Sequence, residues 1–160
     1  MYLRKLELEE PIEIFNLYQE ILDDKWVLPL VMTKENFSKF LKEEYDKDLG
    51  INLKDGEVRE TTYWFYVNDK PCGILFIRQS LNDTLINEGQ IAYYIRKEER
   101  GKRYGNKMLA LCLDIFRNKD DKKILITCNI SNKISQKIIE NNMGVLENIV
   151  GKVRRYWIYL

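Results

Sequence analysis

The stretch Ile95-Arg96-Lys97-Glu98-Glu99-Arg100-Gly101-Lys102-Arg103-Tyr104-Gly105-Asn106 sets two glycines and a run of cations just ahead of a helical pattern. A helix starting here leaves its first-turn amides without intrahelical acceptors. The positive end of the helix dipole stands behind those amides, which makes them an anion site. Gly101 and Gly105 allow close backbone approach, while Arg100, Lys102 and Arg103 add charge. A diphosphate is the natural guest. The plain competing reading is a solvated basic helix start, because short matches of glycine and basic residues are common.

Other phosphate-binding patterns are absent. Asn106-Lys107 follows Gly105 at the wrong spacing for a nucleoside triphosphate loop, and no Gly-x-Gly-x-x-Gly run occurs. The chain has no histidine, which removes Ser-His-Asp and Cys-His catalysis and argues against a catalytic zinc site. Cys72, Cys112 and Cys128 are odd in number, widely spaced and set among apolar residues. They are expected to be reduced core cysteines in a cytoplasmic protein. No apolar run reaches the roughly 18 residues of a membrane span, and the start Met1-Tyr2-Leu3-Arg4-Lys5-Leu6-Glu7 does not resemble a signal peptide. Net charge is +1 but unevenly spread: residues 1–60 carry 9 basic against 15 acidic side chains, residues 61–160 carry 17 against 10. The second half suits an anion, and the first either attracts a cation or is merely a set of acidic exposed helices. Aromatics near the basic loop fall at core spacing rather than as a stacking platform, so no nucleic acid is expected.

The elements that position this loop follow from periodicity. Residues 1–8 read as a strand. Residues 9–22 read as a helix with Pro11 in its first turn. Thr33 caps a second helix carrying Phe37, Phe40, Leu41 and Tyr45 on its apolar face. Residues 61–67 and 72–78 form a hairpin about Asn68-Asp69-Lys70-Pro71, and residues 90–96 form the fourth strand. A helix over 104–116, a buried strand over 122–128 and a helix over 131–141 follow, the last with Ile134, Ile138 and Ile139 inward. Strands over 145–150 and 153–160 close the chain around Gly151-Lys152. The order β-α-α-β-β-β-α-β-α-β-β makes residues 1–160 a single mixed α/β domain, with a 45% apolar content ample for a core.

Arg100-Gly101-Lys102-Arg103-Tyr104-Gly105 resembles the Gln/Arg-x-x-Gly-x-Gly/Ala signature of the GCN5-related N-acetyltransferase (GNAT) superfamily, in its usual place between fourth strand and third helix. Thr127-Cys128-Asn129-Ile130-Ser131-Asn132-Lys133-Ile134-Ser135 is similar to the family's segment after the next strand. Ile138-Ile139-Glu140-Asn141-Asn142-Met143-Gly144-Val145-Leu146-Glu147-Asn148 and Arg155-Tyr156-Trp157-Ile158 resemble a bacterial branch of predicted acetyltransferases. The likeness is specific over residues 88–160; over residues 1–60 it rests on element order. Three positions depart from the pattern. Arg103 replaces the motif's first glycine, Ile139 stands where the family often has a general-acid tyrosine, and the fourth strand carries no Asp or Glu.

The resemblance implies a GNAT-like acyl-CoA N-acyltransferase fold, with acetyl-CoA as co-substrate and no metal. Two neighbouring parallel strands, 90–96 and 124–128, are expected to splay apart around the pantetheine arm. The backbone of Ile95 and Arg96 would meet its amides. Amides of Arg100, Gly101, Lys102, Arg103, Tyr104, Gly105 and Asn106 would hold the pyrophosphate, with Asn132 and Ser135 opposite. The implied reaction is direct attack of a primary amine on the thioester, which needs a base, oxyanion stabilisation and a proton for the thiolate. Glu88 is the candidate base. Tyr93 and Tyr94 lie on opposite faces of one strand, and Tyr94 is the candidate acid. Trp26, Leu28 and Leu30 fall where the family has a substrate-covering loop. The acceptor is expected to be a small-molecule or peptide amine, favoured as cationic by the acidic first half, and a homodimer through the C-terminal strands is the family habit. The alternative is a non-catalytic acyl-CoA-binding sensor of the same fold, which the missing tyrosine and strand carboxylate keep open.

Overall fold

The computed structural model describes residues 1–24, 33–83, 85–119 and 121–160. Trp26, Leu28 and Leu30 lie outside the described residues. The elements run β1 (Tyr2–Lys5), α1 (Ile12–Asp23), α2 (Lys34–Leu49), β2 (Glu60–Val67), β3 (Lys70–Arg78), β4 (Ile91–Ile95), α3 (Tyr104–Arg117), β5 (Lys123–Asn129), α4 (Lys133–Asn141), β6 (Val145–Val150) and β7 (Val153–Tyr159). Short 3-10 turns, Leu85–Asn87 and Lys97–Glu99, flank β4. This mixed α/β order is the one expected from periodicity.

The strands divide into two antiparallel sheets, ordered β1-β2-β3-β4 and β5-β7-β6. The first is buried on both faces. Trp64, Tyr66, Ile74 and Tyr94 pack with Ile14, Leu17 and Ile21 of α1 and Phe37 and Leu41 of α2. Phe65, Leu75, Ile77 and Ile91 pack with Met108, Leu109, Cys112 and Phe116 of α3. Period-two alternation in strands and the i, i+3, i+4 spacing in helices produce this sandwich. The β2–β3 hairpin turns on Asn68 and Asp69, both left-handed at φ 48° and 59°. Two such residues make the turn whose twist matches the strands, and Asn and Asp tolerate it.

The structure corrects several local expectations. Pro11 is the extended residue preceding α1, not part of its first turn. Thr33 does cap α2, accepting from the Asn36 amide at 3.1 Å. On that helix, however, Tyr45 is exposed and Glu44 and Asp48 are buried instead. Both carboxylates are satisfied: Thr62 Oγ1 donates to Glu44 at 2.6 Å, and Thr61 Oγ1 donates to Asp48 at 2.5 Å. Lys5 pairs with Asp48 and Lys47 with Glu44. A carboxylate with both a hydroxyl donor and a cation can replace an aromatic on a buried face. Ile134, expected inward, is 73% exposed, because it lies in the first turn of α4 beside an open cleft.

β4 and β5 do not pair as a parallel ladder. One isolated bridge of antiparallel type, Gly89 with Ile126, joins them. Here the Gln90 amide donates to the Leu125 carbonyl at 2.8 Å, and the Leu125 amide donates to Gln90 Oε1 at 3.0 Å. Thr127 Oγ1 donates to the Glu88 carbonyl at 2.8 Å. Gly89 holds φ +78°, and a Cβ there would stand 3.0 Å from the Leu125 carbonyl oxygen. Only glycine permits that conformation and that approach together. Beyond the bridge the two strands separate without a ladder among the described residues. No helix among the described residues is long and apolar enough to cross a membrane.

Candidate functional site

The separation of β4 from β5 opens a cleft of about 850 Å³ that runs to the starts of α3 and α4. Its β4 wall is set by register. Arg78 donates to the Gln90 carbonyl at 2.8 Å, and the Arg96 amide donates to Cys72 at 3.0 Å. Bonded and non-bonded pairs alternate in an antiparallel ladder, so Ala92 and Tyr94 also turn their backbone to β3, and Ile91, Tyr93 and Ile95 turn theirs to the open edge. The edge therefore presents Tyr93 and the amide of Ile95, whose carbonyl already accepts from Arg100 Nε, and not Arg96 as expected. Both backbone groups of Arg96 are taken internally, its carbonyl by the Glu99 amide at 3.0 Å.

At the far end, α3 begins after Arg103, which sits left-handed at φ 62° with no side-chain cap on the helix. The first amide of this turn to find an intrahelical acceptor is that of Lys107, 3.4 Å from the Arg103 carbonyl. The amides of Tyr104, Gly105 and Asn106 thus remain for an anion. Gly101 holds φ +80° with nothing within 4 Å of a would-be Cβ, so a ligand can approach its backbone. Gly105 serves a different end. A Cβ there would stand 2.6 Å from Ile138 Cδ1, so its smallness seats α4 against α3.

The basic side chains of the loop are mostly spoken for. Arg100 donates to Asp24 at 2.6 Å and to the Ile95 carbonyl at 3.0 Å, and its guanidinium lies over the Tyr94 ring. Lys97 pairs with Asp24 at 2.7 Å, Arg96 with Glu20, and Lys102 with Glu99 at 2.7 Å. Lys97 and then Arg100 hold the Asp24 carboxyl down at about 2. Arg96 and Lys102 do not line the cleft; Arg100 and Arg103 do. Among the described residues no ion pair holds Arg103.

Glu88 stands at the closed end of the cleft, half-exposed and 3.2 Å from Arg78. Arg78 is itself anchored by Glu60 at 3.0 Å and by the Gly89 carbonyl at 2.9 Å. Burial, and then Glu44, raise the Glu60 carboxyl above the usual carboxylate range. Glu88 also borders a smaller cleft of about 280 Å³ that Asp55, Glu57 and Glu60 line. Tyr94 is 4% exposed, its ring on the α1 side near Asp24, with its phenol pushed up to about 12 by burial and then by Asp24. Tyr93 points to the other face, where its phenol lies 2.9 Å from Ser135 Oγ on α4. Asn132 caps α4, its side chain accepting from the Ser135 amide at 3.0 Å. Ile139 is fully buried.

The structure thus brings Glu88, Tyr94, Ile95, Arg100, Gly101, Arg103, Tyr104, Gly105, Asn106, Asn132 and Ser135 to one cleft. Sequence reasoning missed Asp24, Gly89, Thr127 and the contact of Tyr93 with Ser135. A glycine directly before a β-rich run was the available signal for Gly89; the others depend on contacts between residues far apart in the chain.

Residues 1–143 match a family model described as an acetyltransferase (GNAT) domain. Among solved structures, the chain is similar to an acetyltransferase of Salmonella typhimurium that modifies the N-terminal serine of a 50S ribosomal subunit protein. The identity is 17% and the TM-score 0.69, over 99% of this chain and 94% of that one. It is also similar to RimL, a ribosomal alpha-N-protein acetyltransferase in complex with coenzyme A, at 16% identity and a TM-score of 0.73 over 99% and 93%. A chimeric spermidine N-acetyltransferase from Vibrio cholerae and hSSAT gives 21% and 0.66 over 99% and 96%. At these identities the likeness is one of fold. None of the curated proteins matches the chain in sequence.

Proposed function

Because the chain belongs to the GNAT acetyltransferases, we propose that it moves the acetyl group of acetyl-CoA onto a primary amine of a small molecule or peptide by direct attack. The observation that carries this reading is the open β4 edge leading straight to the uncapped start of α3. An amide-bearing arm can add to such an edge as a strand would, and a diphosphate can end on the helix amides. Tyr93 and Ile95 supply the edge. Gly101, Arg103, Tyr104, Gly105 and Asn106 receive the pyrophosphate, and Asn132 and Ser135 flank the arm from α4. Lys102 and Arg96 act on the loop through Glu99 and Glu20 rather than on the ligand. Acetyl-CoA supplies the activated thioester, and this chain's residues orient it and handle protons.

In this reading Glu88 takes the ammonium proton through water, with Arg78 fixing its carboxylate. Tyr94 lines the amine's approach on the α1 side. The small acidic cleft that shares Glu88 favours a cationic acceptor, as do spermidine and a protein N-terminus, the acceptors of the similar enzymes. The cytoplasm is the matching location. β6 exposes Val145, Leu146, Ile149 and Val150 at the edge of its sheet. An edge of this kind is covered most simply by a second copy. Light scattering should then give twice the mass of one chain, and a monomer at all concentrations would remove the dimer.

The function is tested by thermal unfolding with acetyl-CoA, free CoA and a duplex oligonucleotide. Ligand at 100 times its dissociation constant stabilises by about 2.7 kcal/mol, a rise of roughly 5–10 °C for a chain of this length. No rise with either CoA compound in a folded sample would defeat the reading. Thiol release with spermidine and serine-led peptides then reports turnover. Binding without release across a broad amine panel would favour a sensor, to which the buried Ile139 and the Arg78-bound Glu88 lend support.

A further inference from the structure

Resting on that acetyl-CoA reading, we infer that the paired hydroxyls of Tyr93 and Ser135 deliver the proton to the departing thiolate. β4 and α4 face each other across the cleft, and this pair is where they touch, oxygen to oxygen at 2.9 Å. Tyr93 turns its backbone to the open strand edge and packs its ring on the α3–α4 side. Its phenol and the Ser135 hydroxyl both line the cleft that the arm would enter. Ser135 is one helical turn before Ile139 on the same side of α4. Ile139 is buried against the backbone at Gly144 and offers no hydroxyl. Tyr94 sits on the opposite face, engaged near Asp24 and under Arg100. The cleft wall between β4 and α4 thus holds a two-hydroxyl chain.

The proton balance closes without any further reagent. As the carbon–nitrogen bond forms and the carbon–sulfur bond breaks, sulfur leaves with the bonding electron pair. Ser135 passes its hydroxyl proton to sulfur and takes the phenolic proton of Tyr93 in return. The phenolate is then reprotonated from water by the second proton that nitrogen sheds as the amide forms. The first nitrogen proton leaves by way of Glu88. Ammonium and thioester enter; amide, thiol and one proton leave. Serine alone is too weak an acid to serve a thiolate well, and a phenol behind it refills it. Burial pushes the Tyr93 phenol up to about 12, so it stays a donor throughout the neutral range.

Coenzyme A itself is the first probe. A hydroxyl chain aimed at sulfur stabilises the bound thiolate, so CoA binding to the parent protein should tighten as pH rises toward the ordinary thiol range, near about 8.5. We expect about a tenfold tightening, with acetyl-CoA, which has no thiol, showing none. Tyr93→Phe and Ser135→Ala should each flatten the CoA profile, and thermal unfolding without ligand shows that they fold. In thiol release with spermidine or a serine-led peptide, each variant should lose roughly 10²–10⁴-fold in kcat. The double variant should be no worse than either, because the two act as one unit. If Tyr93→Phe keeps the parent's pH profile, or if the parent shows no thiol-dependent profile while binding CoA, the hydroxyl chain is only a latch between β4 and α4 and the inference is overturned. If the parent binds neither CoA nor acetyl-CoA, the acetyltransferase reading itself fails.

Discussion

Arg103→Glu should weaken acetyl-CoA binding on the order of a hundredfold while leaving the chain as stable as before, or slightly more so. A hydrogen bond to a charged group contributes about 1.5–3 kcal/mol, and tenfold in affinity is about 1.4 kcal/mol; reversal of the charge adds repulsion to that loss. Arg103 is chosen because its neighbours cannot give so clean a result. Arg96, Lys97, Arg100 and Lys102 are tied to Glu20, Asp24 and Glu99, so changing any of them also breaks a contact within the fold. Arg103 breaks none that is seen among the described residues, and glutamate bears the left-handed φ of 62° as well as arginine does. A carboxylate at a helix start also complements the dipole by about 0.3–1 kcal/mol. Calorimetric titration reads the affinity and thermal unfolding reads the fold. Unchanged affinity would mean that the pyrophosphate lies elsewhere. Asp24→Asn should act in the opposite sense and tighten binding severalfold, since it releases Arg100 and Lys97 toward the cleft. Asp24 titrates near 2 in the folded chain against 3.8 normally. A depressed carboxyl stabilises above its unfolded value and loses that contribution as pH falls through the folded one. The tether is therefore intact at neutral pH, its contribution to stability is lost as pH falls from about 4 to about 2, and the contact itself is released near pH 2.

Gly89→Val should remove cofactor binding by a different route and cost the fold heavily. The left-handed backbone at φ +78° costs a branched residue about 1–3 kcal/mol. Its Cβ would stand 3.0 Å from the Leu125 carbonyl oxygen and 3.1 Å from the Thr127 amide nitrogen. The strands must part there, and the two bonds between Gln90 and Leu125 go with them, at about 1 kcal/mol each. A total of roughly 3–5 kcal/mol lowers the melting temperature by about 10 °C or more. Gly151→Val is the control. Gly151 is also left-handed, at φ +57°, but has nothing within 4 Å of a would-be Cβ and turns the β6–β7 hairpin. It should show the strain alone and keep acetyl-CoA affinity. Equal losses at both positions would mean that the β4–β5 junction contributes nothing beyond backbone strain.

The uneven charge of the two halves takes on a more definite meaning in the fold. Part of the acidic excess in residues 1–60 answers the basic excess in the rest of the chain. Glu20 meets Arg96, Asp24 meets Lys97 and Arg100, and Glu60 meets Arg78. These pairs tie the end of α1 to the loop ahead of α3 and fix Arg78 beside Glu88. Asp55, Glu57 and Glu60 gather at the smaller cleft, where Lys47 and Arg78 also stand.

Local sequence patterns were enough for the order of all eleven elements, the cap at Thr33, a hairpin turn within Asn68-Asp69-Lys70-Pro71 and the glycine-and-cation loop ahead of α3, although Lys70 and Pro71 belong to β3. These are local properties: strand and helix periods, cap chemistry and turn residues act over a few positions. Tertiary structure alone decided which of the loop's cations line the cleft. It also decided that Gly105 seats α4 and Gly101 opens to the cleft, that Glu44 and Asp48 belong inside, and that Tyr93 and not Tyr94 reaches α4. The longest of these contacts join residues far apart in the chain, 76 between Asp24 and Arg100 and 42 between Tyr93 and Ser135. No local pattern encodes such a meeting. It is fixed when the two faces of the first sheet are buried under different helices, and the alternation along β4 then sends one tyrosine to each.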